Sequence, residues 1–427
     1  MRILLTGANG FIGAALSAAL LNAGHTLVAA VRDPAKFRRR FPFAEALPLD
    51  LSLPLDTAEW TGRLRGVDAL INCAGILQSG RGGTTERVHA EGPTRLFTAA
   101  HDAGVGKIIQ ISAVSVGADT AYAASKKQAD DALAAMPLRW TILRPSLVYG
   151  TQAYGGTAML RALAVFPYAI PVIGAGRQKV TPIHVDDLAR VVLACLPPEA
   201  HAGEILTPCG PETITLADFA QRYRAWFGLR RAPLLHVPVP LIRIAAKLGD
   251  WFGTGPLTTT SLKQLQFGNA AEGGDFSKTI GFNTRSMAQA LQAQPAGTAD
   301  LWHARLYLLR PLLRTALIII WLVSGLLGLF SPADDVIAKF AGLNLPEVFG
   351  LAAGRVASLV DLALAAALLF NGMPRRVGQA QLSLIAAYTL ALTVISPGLW
   401  LDLFGALLKN IAVFALVLVH MISAEER

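Results

Sequence analysis

The carboxyl-terminal third of the chain contains two long stretches without a charged side chain. Thr315–Ala333 runs for 19 residues and Val377–Leu401 for 25, and about 20 apolar residues are enough to cross the hydrocarbon core of a bilayer. Two weaker stretches, Val356–Met373 and Leu403–Ser423, contain one charged residue each. The sequence therefore predicts an all-α bundle of four membrane-spanning helices in residues 296–427.

Basic residues predict the orientation of these spans, because cytoplasmic loops carry the excess of lysine and arginine. Arg305, Arg310 and Arg314 flank the start of the first span, and Arg375 and Arg376 lie between the second and the third. The loop after the first span, SPADDVIAKFAGLNLPE, carries three acidic residues and one lysine. We therefore expect a multi-pass protein of the cytoplasmic membrane, with its N-terminal domain and C-terminus in the cytoplasm.

The composition agrees with a chain that is partly embedded in lipid. Apolar residues make up 53% of the 427 and charged residues 16%, against about 25% charged residues in a typical soluble domain. The net charge is +9, but the densest basic cluster, Lys36–Arg40, is short. This charge suits an anionic membrane face or a phosphate-bearing ligand, and we expect no nucleic-acid partner.

The three cysteines, Cys73, Cys195 and Cys209, form no CxxC pair and no cluster with histidine at metal-binding spacing. This pattern indicates reduced thiols in a cytoplasmic compartment and no metal site. The short apolar run Ile3–Leu5 is soon interrupted by glycines, so it is typical of a strand rather than of a signal peptide.

Residues 1–295 alternate short β-rich runs with helical patterns, which predicts an α/β fold with a Rossmann-like, doubly wound parallel sheet. Proline and glycine become more frequent between Tyr149 and Pro240, and we expect a smaller substrate-side lobe at about residues 150–290. The predicted strands are Arg2–Thr6, Thr26–Val31, Ala46–Leu49, Ala69–Asn72, Lys107–Ile111 and Trp140–Leu143. Helical patterns lie between them, among them Phe11–Ala23, Glu86–Ala103 and Ala121–Met136.

The first predicted strand leads into a glycine-rich turn, TGANGFIG, and then into a helix rich in alanine and leucine. Gly7 allows the tight turn, Gly10 lets the backbone approach a pyrophosphate, and Gly13 lets the helix pack closely against the strand. The amino-terminal end of the helix then faces the negative charge of the phosphates. The motif predicts a dinucleotide site.

Over about residues 1–290 the chain resembles the extended or atypical branch of the short-chain dehydrogenase/reductase superfamily. The motifs that carry the resemblance occur in the family's order. They are the TGxxGxxG turn, Asp50 in PLDLS, NCAG at Asn72–Gly75, the YxxxK pair Tyr122 and Lys126, LRPSLVYG at Leu143–Gly150 and PIHVDDLA at Pro182–Ala189. The four spans and their RPLLR entry resemble the DoxX-like membrane family.

The resemblance implies a bound nicotinamide dinucleotide. Members that bind NAD place an acid at the end of the second strand, where it contacts the ribose hydroxyls. Val31 aligns with that acid and Arg32 follows it, which favours NADP(H) over NAD(H), because a guanidinium can hold a 2′-phosphate. The implied cofactor-binding residues are Gly7, Asn9, Gly10, Phe11, Ile12, Gly13, Arg32, Asp50, Leu51, Cys73, Ala74, Gly75, Lys126 and Pro145.

The resemblance also implies the catalytic residues. Tyr122 matches the general acid/base, and Lys126 matches the lysine that binds the nicotinamide ribose and lowers the pKa of the tyrosine. Ser112 and Ser115 are both candidates for the family's substrate-polarising serine. The favoured alignment with the family motif, however, places Ala113 at that position. In PIHVDDLA, His184 with Asp186 and Asp187 is not expected to bind a metal, and Asp186 and Asp187 are predicted to begin a helix.

Two departures from the family pattern affect the expected activity. The register places Ala113 at the serine position, and His89 in VHAEGP replaces a frequent asparagine. A histidine there can hydrogen-bond in place of the asparagine or pack against its neighbours, and packing is favoured. These departures are similar to the atypical subgroup that includes an accessory subunit of respiratory complex I, which implies a largely structural NADPH.

The resulting prediction is a membrane-anchored NADP(H)-dependent oxidoreductase acting on a lipophilic carbonyl or quinone-like substrate. A first alternative is a non-catalytic NADPH-binding scaffold or redox sensor that works with a partner in a membrane complex. A second alternative is a nucleotide-sugar epimerase or dehydratase, which regenerates its cofactor in place.

Overall fold

The computed structural model describes residues 1–77, 79–80, 84–152, 155–252, 257–271, 276–340, 347–370, 373–395, 397–401, 405 and 407–424. The chain divides into two compact units, Met1–Ala304 and Arg305–Arg427.

The strands of the first unit confirm the predicted fold class. Within the described residues, seven of them form a parallel sheet in the order β11-β6-β5-β4-β1-β2-β3. In chain order the strands are β1 (Arg2–Thr6), β2 (Thr26–Val31), β3 (Glu45–Pro48), β4 (Ala69–Asn72), β5 (Lys107–Ile111), β6 (Trp140–Leu143), β7 (Val148–Tyr149), β8 (Ile170–Ile173), β9 (Lys179–Val180), β10 (Ile183–His184), β11 (Glu204–Leu206), β12 (Ile214–Thr215) and β13 (Leu234–Val237).

The helices of this unit cover both faces of the sheet or belong to the smaller lobe. They are α1 (Phe11–Asn22), α2 (Pro34–Arg40), α3 (Thr57–Arg63), α4 (Gly92–Asp102), α5 (Ala121–Ala134), α6 (Gly155–Ala164), α7 (Val185–Ala194), α8 (Leu216–Trp226), α9 (Val239–Phe252), α10 (Thr259–Phe267), α11 (Phe276–Ile280) and α12 (Met287–Ala293). A π-helical turn at Arg87–Glu91 precedes α4, and a 3₁₀ turn at Val114–Gly117 follows β5.

The two faces of the sheet bury two separate apolar clusters. Ile3 and Leu5 of β1 pack with α1 and α7, whereas Leu4 packs on the opposite face with α3, α4 and α5. Successive side chains of a strand point to opposite faces, so a strand covered on both sides has to be apolar throughout. This explains why the short apolar runs could be recognised as strands from the sequence.

The region expected to form a separate lobe, residues 150–290, contributes both to that lobe and to the main parallel sheet with its covering helices. Three small strand pairs, β7 with β10, β8 with β13 and β9 with β12, build the lobe around a third apolar cluster. However, α7 packs against α1, and β11 pairs with β6 at the edge of the main sheet. Residues 185–206 therefore belong to the Rossmann-like sheet and its helices, although they lie within the range predicted for the lobe.

The second unit consists of helices. They are α13 (Thr298–Phe330), which begins in the first unit, α14 (Ala333–Phe340), α15 (Glu347–Phe370), α16 (Pro374–Ile395) and α17 (Leu408–Ser423), with a 3₁₀ turn at Pro397–Trp400. Among the described residues, three helices are long and apolar enough to cross a membrane: Thr298–Phe330, Glu347–Phe370 and Pro374–Val394. The fourth predicted span corresponds to α17, which has 16 residues; its predicted beginning at residues 403–404 lies outside the described part.

Two charged side chains within the apolar helices have polar partners. Asp361 on α15 is 4% exposed, and it accepts hydrogen bonds from the hydroxyls of Ser324 at 2.6 Å and Tyr388 at 3.4 Å. Arg314 donates to the carbonyl of Leu368 at 2.8 Å. Asp361 therefore faces the interior of the bundle, where a carboxylate in an apolar helix avoids contact with lipid.

Candidate active site

The glycine turn after β1 leaves no space for a side chain. Gly7 has a φ of +65°, and a Cβ atom there would lie 2.7 Å from the carbonyl oxygen of Cys73. A Cβ atom on Gly13 would overlap the carbonyl oxygen of Gly7 and approach the Cα of Ala8 to 2.8 Å. The turn and the first turn of α1 therefore pack backbone against backbone.

This packing leaves the amino-terminal end of α1 open. Gly10 is the N-cap residue and offers no side-chain acceptor to the first turn. The amide groups at a helix N-terminus and the helix dipole then favour an anion. Asn9 and Gly10 are exposed at the rim of the turn. The geometry fits a dinucleotide pyrophosphate, which needs both a side-chain-free approach and amide donors.

The other residues implied by the resemblance lie at the same edge of the sheet, because the carboxyl ends of parallel strands meet there. Arg32 follows β2, Cys73, Ala74 and Gly75 follow β4, and Pro145 follows β6. Asp50 and Leu51 come after β3, Ser112 and Ser115 after β5, and Lys126 lies on α5.

A buried chain of hydrogen bonds fixes the loop after β4. The Thr6 hydroxyl donates to the Asn72 side chain at 2.5 Å, and Asn72 donates to Gln110 at 2.7 Å. The Thr6 oxygen also accepts the backbone N–H groups of Cys73 at 3.1 Å and Ala74 at 3.3 Å. Thr6 and Gln110 were missed from the sequence, because their role depends on three strands that are distant along the chain.

Lys126 projects from α5 towards this loop. Its ammonium group donates to the carbonyls of Ala74 at 3.3 Å and Ile111 at 3.0 Å. A Cβ atom on Gly75 would lie 3.4 Å from the Lys126 Nζ, so glycine keeps that nitrogen accessible. Burial lowers the pKa of Lys126, which the neighbouring Cys73 and Asp130 partly oppose. An ammonium has three donors, and these two carbonyls leave one for a ligand hydroxyl.

Tyr122 lies one helical turn before Lys126 on the same face of α5. Burial, and secondarily the negative charge of Asp130, raises the pKa of Tyr122 to about 12, which is opposite to the lowering by Lys126 that the resemblance implied. The tyrosine therefore holds its proton at neutral pH, as a general acid must. The helix begins just before it at Thr120, whose hydroxyl accepts the backbone N–H of Ala123 at 3.1 Å.

His89 both packs against Tyr122 and forms hydrogen bonds, so the expectation of packing described only part of its role. Its Nε2 accepts the backbone N–H of Ile76 at 2.9 Å, and its Nδ1 lies 3.0 Å from the Ser125 hydroxyl. Ser125 donates in turn to the carbonyl of Tyr122 at 3.1 Å. Since Nε2 accepts, Nδ1 carries the proton. The rings of His89 and Tyr122 meet edge to face, 5.3 Å apart.

The neutral form of His89 is strongly favoured. Burial, and secondarily the positive charge of Lys126, lowers its pKa to about 2. His89 therefore acts as a neutral connection between the loop after β4 and the helix that carries Tyr122, and it does not exchange protons near pH 7.

The two candidate serines have different surroundings. The Ser112 hydroxyl donates to the Asp130 carboxylate at 2.9 Å, and Arg144 donates to the same oxygen at 2.9 Å. Ser115 is buried on the 3₁₀ turn after β5, and its hydroxyl forms no hydrogen bond within the described part of the chain. Asp130 thus holds Ser112, which leaves Ser115 as the available serine hydroxyl.

Positive charge surrounds the end of β2. Arg32 is exposed, and Asp33 is occupied as the N-cap of α2, where it accepts the backbone N–H of Lys36 at 2.9 Å. The exposed cations of α2 are Lys36, Arg38, Arg39 and Arg40. After β3, Asp50 is half-buried and accepts the backbone and hydroxyl of Ser52 at 2.9 and 2.6 Å.

The PIHVDDLA segment has a structural role. His184 is the N-cap residue of α7 and accepts the backbone N–H of Asp186. Asp187 is fully buried and pairs with the guanidinium of Arg285 at 3.1 Å. Asp186 and Asp187 therefore occupy the first turn of a helix, as their positions in the sequence indicated.

Two family models match the chain, one in each part. Residues 3–206 match the NAD dependent epimerase/dehydratase family, and residues 318–418 match the DoxX-like family. The N-terminal part thus resembles an NAD dependent epimerase/dehydratase domain. The chain joins that domain to a C-terminal DoxX-like domain.

Curated relatives match the N-terminal part. An uncharacterized protein of Mycobacterium bovis is 26% identical over 197 residues, 46% of this chain but 20% of that protein, so the chain spans about a fifth of its length. Ceramide reductase of Caulobacter vibrioides is 31% identical over 200 residues, 45% of this chain and 60% of that protein. A 3-diazoavenalumate denitrifying reductase of Streptomyces is 27% identical over 289 residues, 61% of this chain and 90% of that protein.

Solved structures share the fold of the first unit. UDP-glucuronic acid 4-epimerase from Bacillus cereus, in complex with NAD, superposes with a TM-score of 0.54 at 20% identity, covering 71% of this chain and all of that one. dTDP-glucose 4,6-dehydratase from Streptomyces venezuelae, with NAD bound, gives 0.53 at 19% identity, covering 68% and 96%. These likenesses establish a Rossmann-like fold.

Proposed function

We propose that this protein is a membrane-anchored NADP(H)-dependent reductase that acts on a lipophilic carbonyl or quinone-like substrate. The observation that carries the proposal is the position of Tyr122 one helical turn before Lys126 on α5, with the Lys126 ammonium group next to Gly75 at the carboxyl edge of the sheet. Two curated relatives are named reductases, and the ceramide named in one of them is a lipid. The apolar helices of the second unit would keep the domain close to such substrates.

The chain offers a partner for each part of the dinucleotide. The amino-terminal end of α1 would hold the pyrophosphate, Asp50 and Leu51 the adenosine, and the third donor of Lys126 the nicotinamide ribose. Cys73–Gly75 and Pro145 would line the nicotinamide. When bound, the reduced cofactor supplies a hydride to the substrate.

Tyr122 would supply the proton that this reduction consumes. A general acid has to be protonated at the working pH, and the raised pKa of Tyr122 meets that requirement. The His89–Ser125 connection holds the backbone at Tyr122 in place. Ser115 would orient the substrate oxygen by donating its hydroxyl.

A comparison of Tyr122→Phe with the wild type tests the catalytic proposal. The full-length protein in nanodiscs would be assayed for NADPH oxidation with a panel of quinones and hydrophobic ketones. Loss of the proton donor should lower the rate by about 10²-fold or more, while the Kd for NADPH stays within about twofold. Absence of turnover with the whole panel, or an unchanged rate in Tyr122→Phe, would overturn the proposal.

The preference for NADP(H) would come from Arg32, with Lys36 and Arg38 adding positive potential. A charge-assisted hydrogen bond contributes about 1.5–3 kcal/mol, so Arg32→Ala should weaken NADPH binding by about 10- to 100-fold and leave NADH binding unchanged. Arg65→Ala, at an exposed arginine after α3, is the matched control. Calorimetric titration that finds NADH bound more tightly than NADPH would contradict this assignment.

A non-catalytic NADPH-binding scaffold or redox sensor is the second candidate. The engagement of Ser112 with Asp130 favours it, because the family's serine position is then filled by Ala113. This candidate predicts tight NADPH binding without turnover, together with a membrane partner that co-purifies. Interconversion of nucleotide sugars without net NADPH oxidation would instead indicate an epimerase.

A further inference from the structure

An unusual apolar ridge lies on α9. Leu241, Ile244 and Leu248 are 57%, 58% and 50% exposed, and their spacing places them on one face of the helix. Ala246, on the opposite side of the helix, is fully buried. The ridge therefore points directly away from the body of the unit, where three aliphatic side chains in water are costly.

Two cations flank this ridge. Arg243 and Lys247 are exposed and lie one helical turn apart, on one side of the helix between the ridge and the face that carries Ala246. Their long aliphatic stems can follow an apolar surface while the charged ends reach polar headgroups. A helix with an aliphatic ridge and a basic flank is typical of segments that lie in the surface of an anionic membrane.

We infer that α9 is an interfacial helix, with its ridge of Leu241, Ile244 and Leu248 inserted among lipids and Arg243 and Lys247 at anionic headgroups. A bilayer suits this surface better than a protein partner, because the ridge is aliphatic and the exposed cations on the same helix match the charge of anionic headgroups. The apolar helices of the same chain also hold the domain near lipid, which raises the effective concentration of this weak contact.

The helix is connected to the candidate active site through α10. Asp250 near the end of α9 accepts the hydroxyl of Thr259, at the start of α10, at 2.6 Å. Gln264 of α10 donates at 2.6 Å to Thr120, the N-cap residue of the helix that carries Tyr122. The pair of helices therefore joins the inferred lipid contact to the site. The consequence that a lipophilic substrate enters beside α10 rests on the proposed function.

The test uses the full-length protein in liposomes that contain anionic lipid. An environment-sensitive dye on Ile244→Cys should shift to the blue and be quenched by lipids that carry a spin label. The same dye on Lys127→Cys, an exposed position on α5, is the matched control and should report water. Labelling of the wild type corrects for Cys73, Cys195 and Cys209.

Two outcomes would overturn the inference. In the first, the label on Ile244→Cys reports water, as the control does. In the second, the label is shielded from the lipid quencher because a second copy or another protein covers α9. Cross-linking through the same cysteine detects this second outcome. The variant R243E/K247E should reduce quenching in anionic liposomes and have little effect in zwitterionic ones.

An activity measurement separates this inference from the proposed function. In L241S/I244S/L248S, KM for a lipophilic ketone should rise several-fold, while kcat for a short, water-soluble ketone stays unchanged. Lipid quenching without any turnover would overturn the proposed function and leave the interfacial helix standing. Turnover with a water-exposed α9 would overturn the interfacial helix alone.

Discussion

At the scale of single residues, His89 shows how one buried ring can hold two elements of the site together. Its two nitrogens connect the backbone of Ile76, after β4, to Ser125 on α5, and its ring supports Tyr122. An uncharged ring is required for this arrangement, because a protonated Nε2 could not accept the Ile76 N–H. Protonation of His89 is therefore coupled to the stability of the fold.

The sign of this coupling follows from the two pKa values. The pKa of His89 is about 2 in the folded protein and 6.5 as its ordinary value, so the unfolded chain binds the extra proton. Stability should then fall as the pH drops below 6.5, by at most about 1.4 kcal/mol per pH unit from this one group. In His89→Asn the loss of stability between pH 7 and pH 5 should be smaller by about 2 kcal/mol, because the slope reaches its full value only below pH 6.5.

The measurement is chemical unfolding of the first unit within the full-length protein, followed by near-UV circular dichroism at several pH values. The absolute stability of His89→Asn is expected to be lower at pH 8, since two hydrogen bonds change. Only the slope with pH tests the coupling. His101→Asn, at an exposed histidine on α4, should keep the wild-type slope, and an equal slope in His89→Asn would contradict the prediction.

The sequence identified those residues of the site that belong to local motifs. Gly7, Gly13, Tyr122 and Lys126 follow from spacing within one turn or one helix. Residues whose partners are distant along the chain could not be found this way. Asp130 is an example, because its contacts with Ser112 and Arg144 depend on how α5 packs beside β5 and β6.

At the scale of elements, the strands covered on both faces were predicted well, whereas β11, which lies within the range of the predicted lobe, was not predicted. Five of the six predicted strands have the observed bounds, and the sixth is displaced by one residue, Glu45–Pro48 instead of Ala46–Leu49. The edge strand β11 has three residues, which is too short to give a periodic signal. Its pairing with β6 is decided by packing that a local pattern does not contain.

The close contact between the glycine turn and α1 yields a prediction for this element. Gly13→Ala places a methyl group against the backbone of Gly7 and Ala8, which has no flexible side chain that could move away. Overpacking of this kind costs about 1–3 kcal/mol, and the displaced turn should weaken NADPH binding by at least about tenfold. Calorimetry and thermal unfolding measure both effects.

Gly62→Ala provides the matched control for this prediction. Gly62 is also a helical glycine, in α3, but a Cβ atom there would meet nothing within 4 Å. The substitution should leave NADPH binding unchanged and stabilise the protein by up to about 0.5–1 kcal/mol through helix propensity. Equal behaviour of the two variants would show that the Gly13 contact does not constrain the turn.

At the scale of the whole molecule, one helix belongs to both units. The 33 residues of α13 begin in the first unit and continue through the second. Within the first unit, Asp300 of this helix pairs at 3.1 Å with Arg161, which is 1% exposed and lies over the rings of Trp226 and Phe227 at 5.1 and 5.4 Å. A buried ion pair thus fixes the start of α13 to the lobe.

The number of spans determines on which side of the membrane the chain ends. The three long apolar helices would leave the C-terminus opposite the N-terminal domain, and a crossing by α17 would bring both to the same side. The 16 residues of α17 span only about 24 Å, against a hydrocarbon core of about 30 Å, so its crossing requires residues before Leu408. The apolar stretch Leu403–Ser423 predicts this fourth crossing, and the charge pattern places the Arg375 loop in the cytoplasm as well.

Labelling with a membrane-impermeant maleimide in right-side-out and inverted vesicles tests this topology. Asp218→Cys in the first unit and Arg376→Cys should react only from the cytoplasmic side, and Ala338→Cys, at an exposed position on α14, only from the outside. A cysteine in a tag after Arg427 should react from the same side as Asp218→Cys. Reaction of the tag from the outside would show that α17 does not cross the bilayer and that the apolar stretches overcount the spans by one.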